Sequence, residues 1–171
     1  MVNESEFPLF DLNDLTVFDL TGDGSNRIEI LTGIGALGIG DYEFALDGGP
    51  YQDSPIFEDV PPGIHIVSVR DKNGCGTKSV AASVIGYPLY FTPNGNGQDD
   101  NWQVLGVNGV FQSQSLIYIF DRHGRLLAQI APDGPGWDGT YNGTPMPADD
   151  YWFRVGLEDG RTFTGHFSLI R

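Results

Sequence analysis

The chain has 171 residues, which accommodates one ordinary domain or two small ones. Its formal net charge is -14, from 23 acidic and 9 basic residues; such a surface repels phosphate backbones and anionic headgroups, so nucleic acid is excluded as a partner and no basic patch serves as a membrane dock. Gly 24 and Pro 11 break up helices, while 40% hydrophobic and 12% aromatic residues suffice for packed cores, so the composition points to a turn-rich all-β protein rather than to disorder.

In chain order, residues 16–20 and 27–31 read as strands joined through Gly22-Asp23-Gly24. In residues 42–46, Tyr42, Phe44 and Leu46 alternate with polar or small neighbours, and Asp47-Gly48-Gly49 turns the chain. His65, Val67 and Val69 alternate with Ile64, Ile66 and Ser68, a strand apolar on both faces near its start, as an inner strand would be. Asp71-Lys72-Asn73-Gly74 then predicts a hairpin whose Asn-Gly pair supplies positive φ angles, with residues 77–85 as the return strand.

Residues 116–120 are apolar on both faces and predict a central strand; His123-Gly124 turns it into residues 125–130. Tyr151, Phe153, Val155 and Leu157 form one face of the next strand, and Trp152 and Arg154 lie on the other. A two-residue Asp159-Gly160 turn leads to the last strand, where Phe163, Phe167 and Leu169 anchor one face and Thr162, Thr164, His166 and Ser168 form the polar one. Residues 1–86 hold 14 acids and 4 bases, and residues 87–171 hold 9 acids and 5 bases with all three Trp. This shift predicts two tandem small β-sandwich modules, 1–86 and 87–171, joined near Gly86.

No apolar run reaches the ~20 residues of a membrane span, so direct membrane insertion is not expected. The start of the chain is acidic and lacks the apolar stretch of a secretory leader. Cys75 is the single cysteine, which excludes an internal disulfide and a Cys-based metal cluster. Gly33-Ile34-Gly35-Ala36-Leu37-Gly38 has the spacing of a dinucleotide fingerprint, but a strand follows where the motif needs a helix, so an inter-strand loop is expected. Two runs space oxygen side chains ahead of glycines: Asp19 and Asp23 in the first, Asn94, Asn96, Asp99 and Asp100 in the second. These are candidate calcium ligands, although both runs lack a bidentate Glu at the twelfth position, and Asx-stabilised turns are the alternative. The three histidines have no metal spacing, and no serine stands in a nucleophile elbow, so catalysis is not expected. Trp137, in a glycine-proline loop, and Trp152, beside Arg154, are candidates for surface recognition of a sugar or a protein, whereas Tyr151 and Phe153 belong to the core.

Four ordered motifs carry a family resemblance. They are Tyr90-Phe91-Thr92-Pro93-Asn94-Gly95; Ile119-Phe120-Asp121-Arg122-His123-Gly124-Arg125-Leu126; Trp137-Asp138-Gly139-Thr140-Tyr141-Asn142-Gly143; and the terminal Gly165-His166-Phe167-Ser168-Leu169-Ile170-Arg171. Over residues 87–171 the chain resembles the gliding-motility-associated C-terminal domain, the type B sorting domain of type IX secretion in Bacteroidota; Asn96 stands where the family has Asp, and His123 where it has Trp. Residues 42–48, Tyr51-Gln52, Phe57 and Val69-Arg70-Asp71-Lys72-Asn73-Gly74-Cys75 resemble the immunoglobulin-like repeats of gliding adhesins, in which the Cys often pairs with one near the repeat start; no such partner exists in this chain.

The resemblance implies a non-enzymatic sorting signal that directs an upstream cargo of the same polypeptide through the type IX translocon and helps hold it at the cell surface through a PorP/SprF-type outer-membrane protein. It implies further that the chain is the tail of a longer protein. The surface to be recognised is then expected among Trp137, Asp138, Trp152, Arg154, Thr162, Thr164, His166, Ser168 and Arg171. If the last strand is a sheet edge, its free backbone groups pair with a partner strand; otherwise that strand only completes the sandwich. The alternative is a calcium-dependent carbohydrate-binding module of an adhesin that uses Trp137 and Trp152.

Overall fold

In the computed structural model the described residues are 5–20, 25–33, 35–158 and 160–171. The Gly22-Asp23-Gly24 link, Ile34 and Asp159 lie outside them, and so does the candidate ligand Asp23. The chain forms two compact units, residues 1–85 and residues 86–171.

In the first unit a 3-10 turn over Leu12–Asp14 is capped reciprocally: the Asp11 carboxylate accepts the Asn13 N–H and the Asp14 carboxylate accepts the Asp11 N–H. Six strands follow: β1 (Leu15–Phe18), β2 (Arg27–Ile30), β3 (Tyr42–Leu46), β4 (Ile56–Phe57), β5 (Gly63–Asp71) and β6 (Thr77–Val84). They make two three-stranded antiparallel sheets, ordered β1-β2-β4 and β3-β5-β6. Ile28 and Ile30 from the first sheet meet Phe44, Val67, Val69, Ala82 and Val84 from the second in one core. β5 is interior to its sheet, as the sequence predicts, but near its start the face of Ile64 and Ile66 is open: they are 38% and 43% exposed. Asp47 and Gly48 both take positive φ, 51° and 71°, and the Gly49 N–H closes on the Leu46 carbonyl, the primed turn that suits strand twist. The β5–β6 turn departs from the Asn-Gly expectation. Gly74 and Gly76, not Asn73, carry the positive φ, and the Asp71 N–H donates to the Gly76 carbonyl across a longer loop.

The second unit contains β7 (Tyr90–Phe91), β8 (Leu116–Phe120), β9 (Leu126–Ile130), β10 (Thr140–Tyr141), β11 (Thr144–Pro145), β12 (Asp149–Gly156) and β13 (Thr162–Leu169). Five of them form a sheet in the order β7-β13-β12-β8-β9, antiparallel except for the β7–β13 pair; β10 and β11 form a separate hairpin. One sheet face is the core: Ile117, Ile119, Tyr151, Phe153, Val155, Phe167 and Leu169 are all buried. Trp102 and Trp137 join this core from irregular segments. Trp102 stacks on Phe167 at 4.0 Å between ring centroids and 14° between planes, and Trp137 meets Tyr151 edge-on at 5.0 Å.

β8 is interior, as predicted. The turn into β9 is tied by Asp121, whose carboxylate accepts the His123 and Arg125 N–H groups and the Arg125 guanidinium. Between β12 and β13 the Leu157 N–H donates to the Arg161 carbonyl; Asp159 of the predicted Asp159-Gly160 turn lies outside the described residues.

Candidate recognition surface of the C-terminal unit

Period-2 alternation puts Trp152 and Arg154 on the face of the sheet opposite Tyr151, Phe153 and Val155. Cross-strand register then assembles the rest of that outer face. Trp152 is flanked by Phe120 on β8 and His166 on β13, and Arg154 by Tyr118 and Thr164. Trp152 is 41% exposed and its ring lies 6.3 Å from the His166 imidazole. Phe120, Arg122, Trp152, Arg154 and Thr164 line one shallow hollow, and Leu116, Tyr118, Phe120, Leu126 and Arg154 line another beside it.

Five of the expected surface residues therefore share one face: Trp152, Arg154, Thr162, Thr164 and His166. Ser168 extends the same row, with its hydroxyl donating to the Asp150 carboxylate at 2.6 Å. The aromatic and aliphatic members from β8 and β9 were not expected there. The sequence shows only that β8 is apolar on both faces; that one of those faces stays open follows from the sheet being covered on one side. Leu116 and Leu126, 50% and 47% exposed, are the result.

Trp137 corrects the sequence reading. It is 3% exposed, and its indole N–H donates to the Thr140 carbonyl at 2.8 Å, so it offers nothing to a ligand. Asp138 is exposed, but its carboxylate accepts the Thr140 N–H and hydroxyl and so shapes the turn. Arg171 folds back, donating to the Met146 and Gly139 carbonyls. The last strand is not a simple edge strand either, because β7 pairs with its end at Ser168 and Leu169.

In the 92–100 loop the oxygen side chains turn inward on their own backbone. The Asp100 carboxylate accepts the Asn94, Gly95 and Gly97 N–H groups at 2.9, 2.6 and 2.7 Å. Those bonds, led by Gly97 and Gly95, hold its carboxyl below the usual carboxylate range. The Asn94 and Asn96 side-chain carbonyls accept the Asn96 and Gln98 N–H groups. Asp99 takes positive φ, 50°, and its carbonyl accepts the Thr92 N–H. This is the geometry of successive Asx turns. In the first unit the Asp19 carboxylate accepts the Ile85 N–H at 3.0 Å. Among the described residues no three His, Cys, Asp or Glu side chains are grouped to hold a metal.

Among the described residues no helix stands between β2 and β3, where a pyrophosphate site requires one. His65 is buried, with Nδ1 on the Asp47 carboxylate and Nε2 on the Pro61 carbonyl, both at 2.7 Å. Cys75 is exposed and free, and its thiol donates to the Ser5 carbonyl at 3.1 Å.

No curated protein matches the sequence. Among solved structures, the chain is similar to a biofilm-associated protein BSP domain (14% identity, TM-score 0.31, covering 91% of this chain and 29% of that one). It is also similar to dimeric latent PorU from Porphyromonas gingivalis (14% identity, TM-score 0.32, covering 91% of this chain and 20% of that one). The chain thus spans less than a third of the length of either. The second unit gives the specific match: residues 85–169 match the CHU_C type IX secretion signal domain family, to which this unit belongs.

Proposed function

We propose that this chain is the sorting segment of a larger surface protein. Its second unit directs the preceding polypeptide through the type IX outer-membrane translocon and then helps retain it at the cell surface, docked on a PorP/SprF-type outer-membrane protein. The family match over residues 85–169 carries this reading, since that family supplies signals for type IX secretion and export to the cell surface or beyond, and is non-catalytic. The geometry supports it in kind. A receptor reads a rigid surface, and the second unit offers an open aromatic sheet face on which Arg154 lies between Tyr118 and Thr164. Trp152, Arg154, Thr164 and His166 are the residues proposed to be read. The carbohydrate alternative has lost Trp137 to the core.

The test is a fluorescent reporter fused ahead of the full chain in a bacterium with type IX secretion. Surface fluorescence that disappears in a translocon-deficient strain, and when the chain is cut after residue 85, is the expected result. Retention of the full-length fusion in the periplasm of the competent strain would overturn the proposal.

A further inference from the structure

β13 is paired along its whole length on one side only. Against β12 it runs in unbroken antiparallel register over eight residues, from Gly156↔Thr162 to Asp149↔Leu169. On the other side β7 meets only Ser168 and Leu169. The Ser168 and Ile170 N–H groups donate to the carbonyls of Leu89, just before β7, and of Phe91 on β7, so Ser168 points its backbone groups away from β12. Alternation along an antiparallel pair then points the N–H and C=O of Thr164 and His166 the same way, beyond the reach of the short β7. Both residues are exposed, and by this alternation their backbone groups face away from the β12 ladder.

The reason lies one residue upstream of Leu89. Pro88 has no N–H to offer the ladder. The chain leaves the edge there and turns inward: the Pro88 carbonyl accepts the Trp102 indole N–H, and the Tyr87 hydroxyl comes within 3.1 Å of where a Cβ on Gly165 would sit. The core is unfinished along this margin. Tyr87 and Phe163, 5.7 Å apart, are only partly buried, whereas Phe153 and Phe167 further in are fully buried.

Natural edges are blunted by lysine, proline, inward charges or bulges. Residues 162–167, Thr-Phe-Thr-Gly-His-Phe, have none of these, and their register with β12 is unbroken. The far side of the sheet differs: β9 pairs with β8 through an irregularity beside Phe120, and Pro132 follows it closely.

We propose that the open margin of β13, residues 162–167, is completed by an extended strand of the secretion partner, which adds to the sheet beside β13. Main-chain bonds to Thr164 and His166 supply the affinity. Apolar side chains on one face of the incoming strand cover Tyr87 and Phe163, and its other face continues the row beside Thr164 and His166. The occupant is a different protein rather than a second copy, because two chains of net charge -14 repel. This inference rests on the sorting function proposed above and names the partner's mode of attachment.

Thr164→Pro and His166→Pro each remove one outward N–H and obstruct an incoming strand, while leaving the β12 ladder its bonds. They are placed in the full chain behind the reporter, and their melting temperatures are compared with wild type. With the fold retained, export is expected to fall roughly tenfold or more. If both folded variants are exported as well as wild type, the strand-addition proposal is overturned and the sorting function stands; if wild type itself is not exported, the sorting function fails. Amide hydrogen exchange on the wild-type chain covers the case in which proline prevents folding. Thr164 and His166 are expected to exchange rapidly in the free chain, unlike Phe163 and Phe167, and to slow by roughly tenfold in solubilised outer membrane from the secreting strain but not from the translocon-deficient one. Unchanged exchange in both membranes would overturn the proposal. So would a concentration-dependent dimer of the free chain that protects these same two amides, which would assign the margin to a second copy.

Discussion

Trp102 and Trp137 exchange backbone hydrogen bonds in both directions, at 2.9 and 2.8 Å, although neither lies in a regular strand. This bridge, together with the Gln103 side-chain amide donating to the Ala131 and Gly134 carbonyls, fastens the two irregular segments that roof the five-stranded sheet, and both indoles enter the core. Gly136 makes the approach possible. Its φ is +89°, and a Cβ there would meet the Trp102 carbonyl oxygen at 2.4 Å. Trp102→Ala is expected to cost about 3–5 kcal/mol and Gly136→Ala more than about 1 kcal/mol, measured by denaturant unfolding of the full chain. A Gly136→Ala protein as stable as wild type would show that the bridge is dispensable.

Trp152 separates stability from recognition. It stands on the open face, 41% exposed, so Trp152→Ala and Arg154→Ala are expected to change unfolding free energy by no more than about 1 kcal/mol. Type IX-dependent export of the reporter is expected to fall all the same. Full export by the folded double variant would remove this face from the recognised surface.

Asp100 and Asp121 make the second unit acid-sensitive. Backbone N–H bonds hold both carboxyls below the ordinary value, Gly97 leading for Asp100 and Arg125 for Asp121. A carboxyl whose folded pKa is depressed binds its proton more readily in the unfolded chain. Its stabilisation is therefore complete above the unfolded value of about 4 and is lost as pH falls through the folded value. Thermal melts between pH 7 and pH 2 are expected to show a decline that begins below about pH 4, shallower in Asp100→Asn. An identical acid profile in that variant would contradict the assignment.

The loop at Asn94, Asn96, Asp99 and Asp100 also predicts a response to calcium. Three of these side chains already accept backbone N–H groups, so binding a cation would require the loop to surrender them. Millimolar calcium or chelator is expected to leave the melting temperature unchanged within about 1 °C, by the linkage of ligand binding to stability. A saturable upward shift, abolished by Asp100→Ala, would restore these residues as metal ligands.

Alternation and turn chemistry were enough to identify the all-β class, β3, β5, β8, β12 and β13, and the partition of Trp152 from Tyr151 and Phe153, because a period of two assigns faces wherever a strand is long and regular. Three of the family motifs run through loops or turns, whose backbone demands are local, and the fourth is the end of the regular strand β13. Trp137 was not legible. Whether an aromatic in a glycine-proline loop is exposed depends on what packs over it, and here Trp102, 35 residues earlier, closes the roof. Nor was the exposure of Leu116 and Leu126, since a doubly apolar strand does not reveal whether a second layer will cover its outer face. The margin of β13 was decided by Pro88: a strand's own residues carry its donors and acceptors, but only the path of its neighbour determines which of them are used.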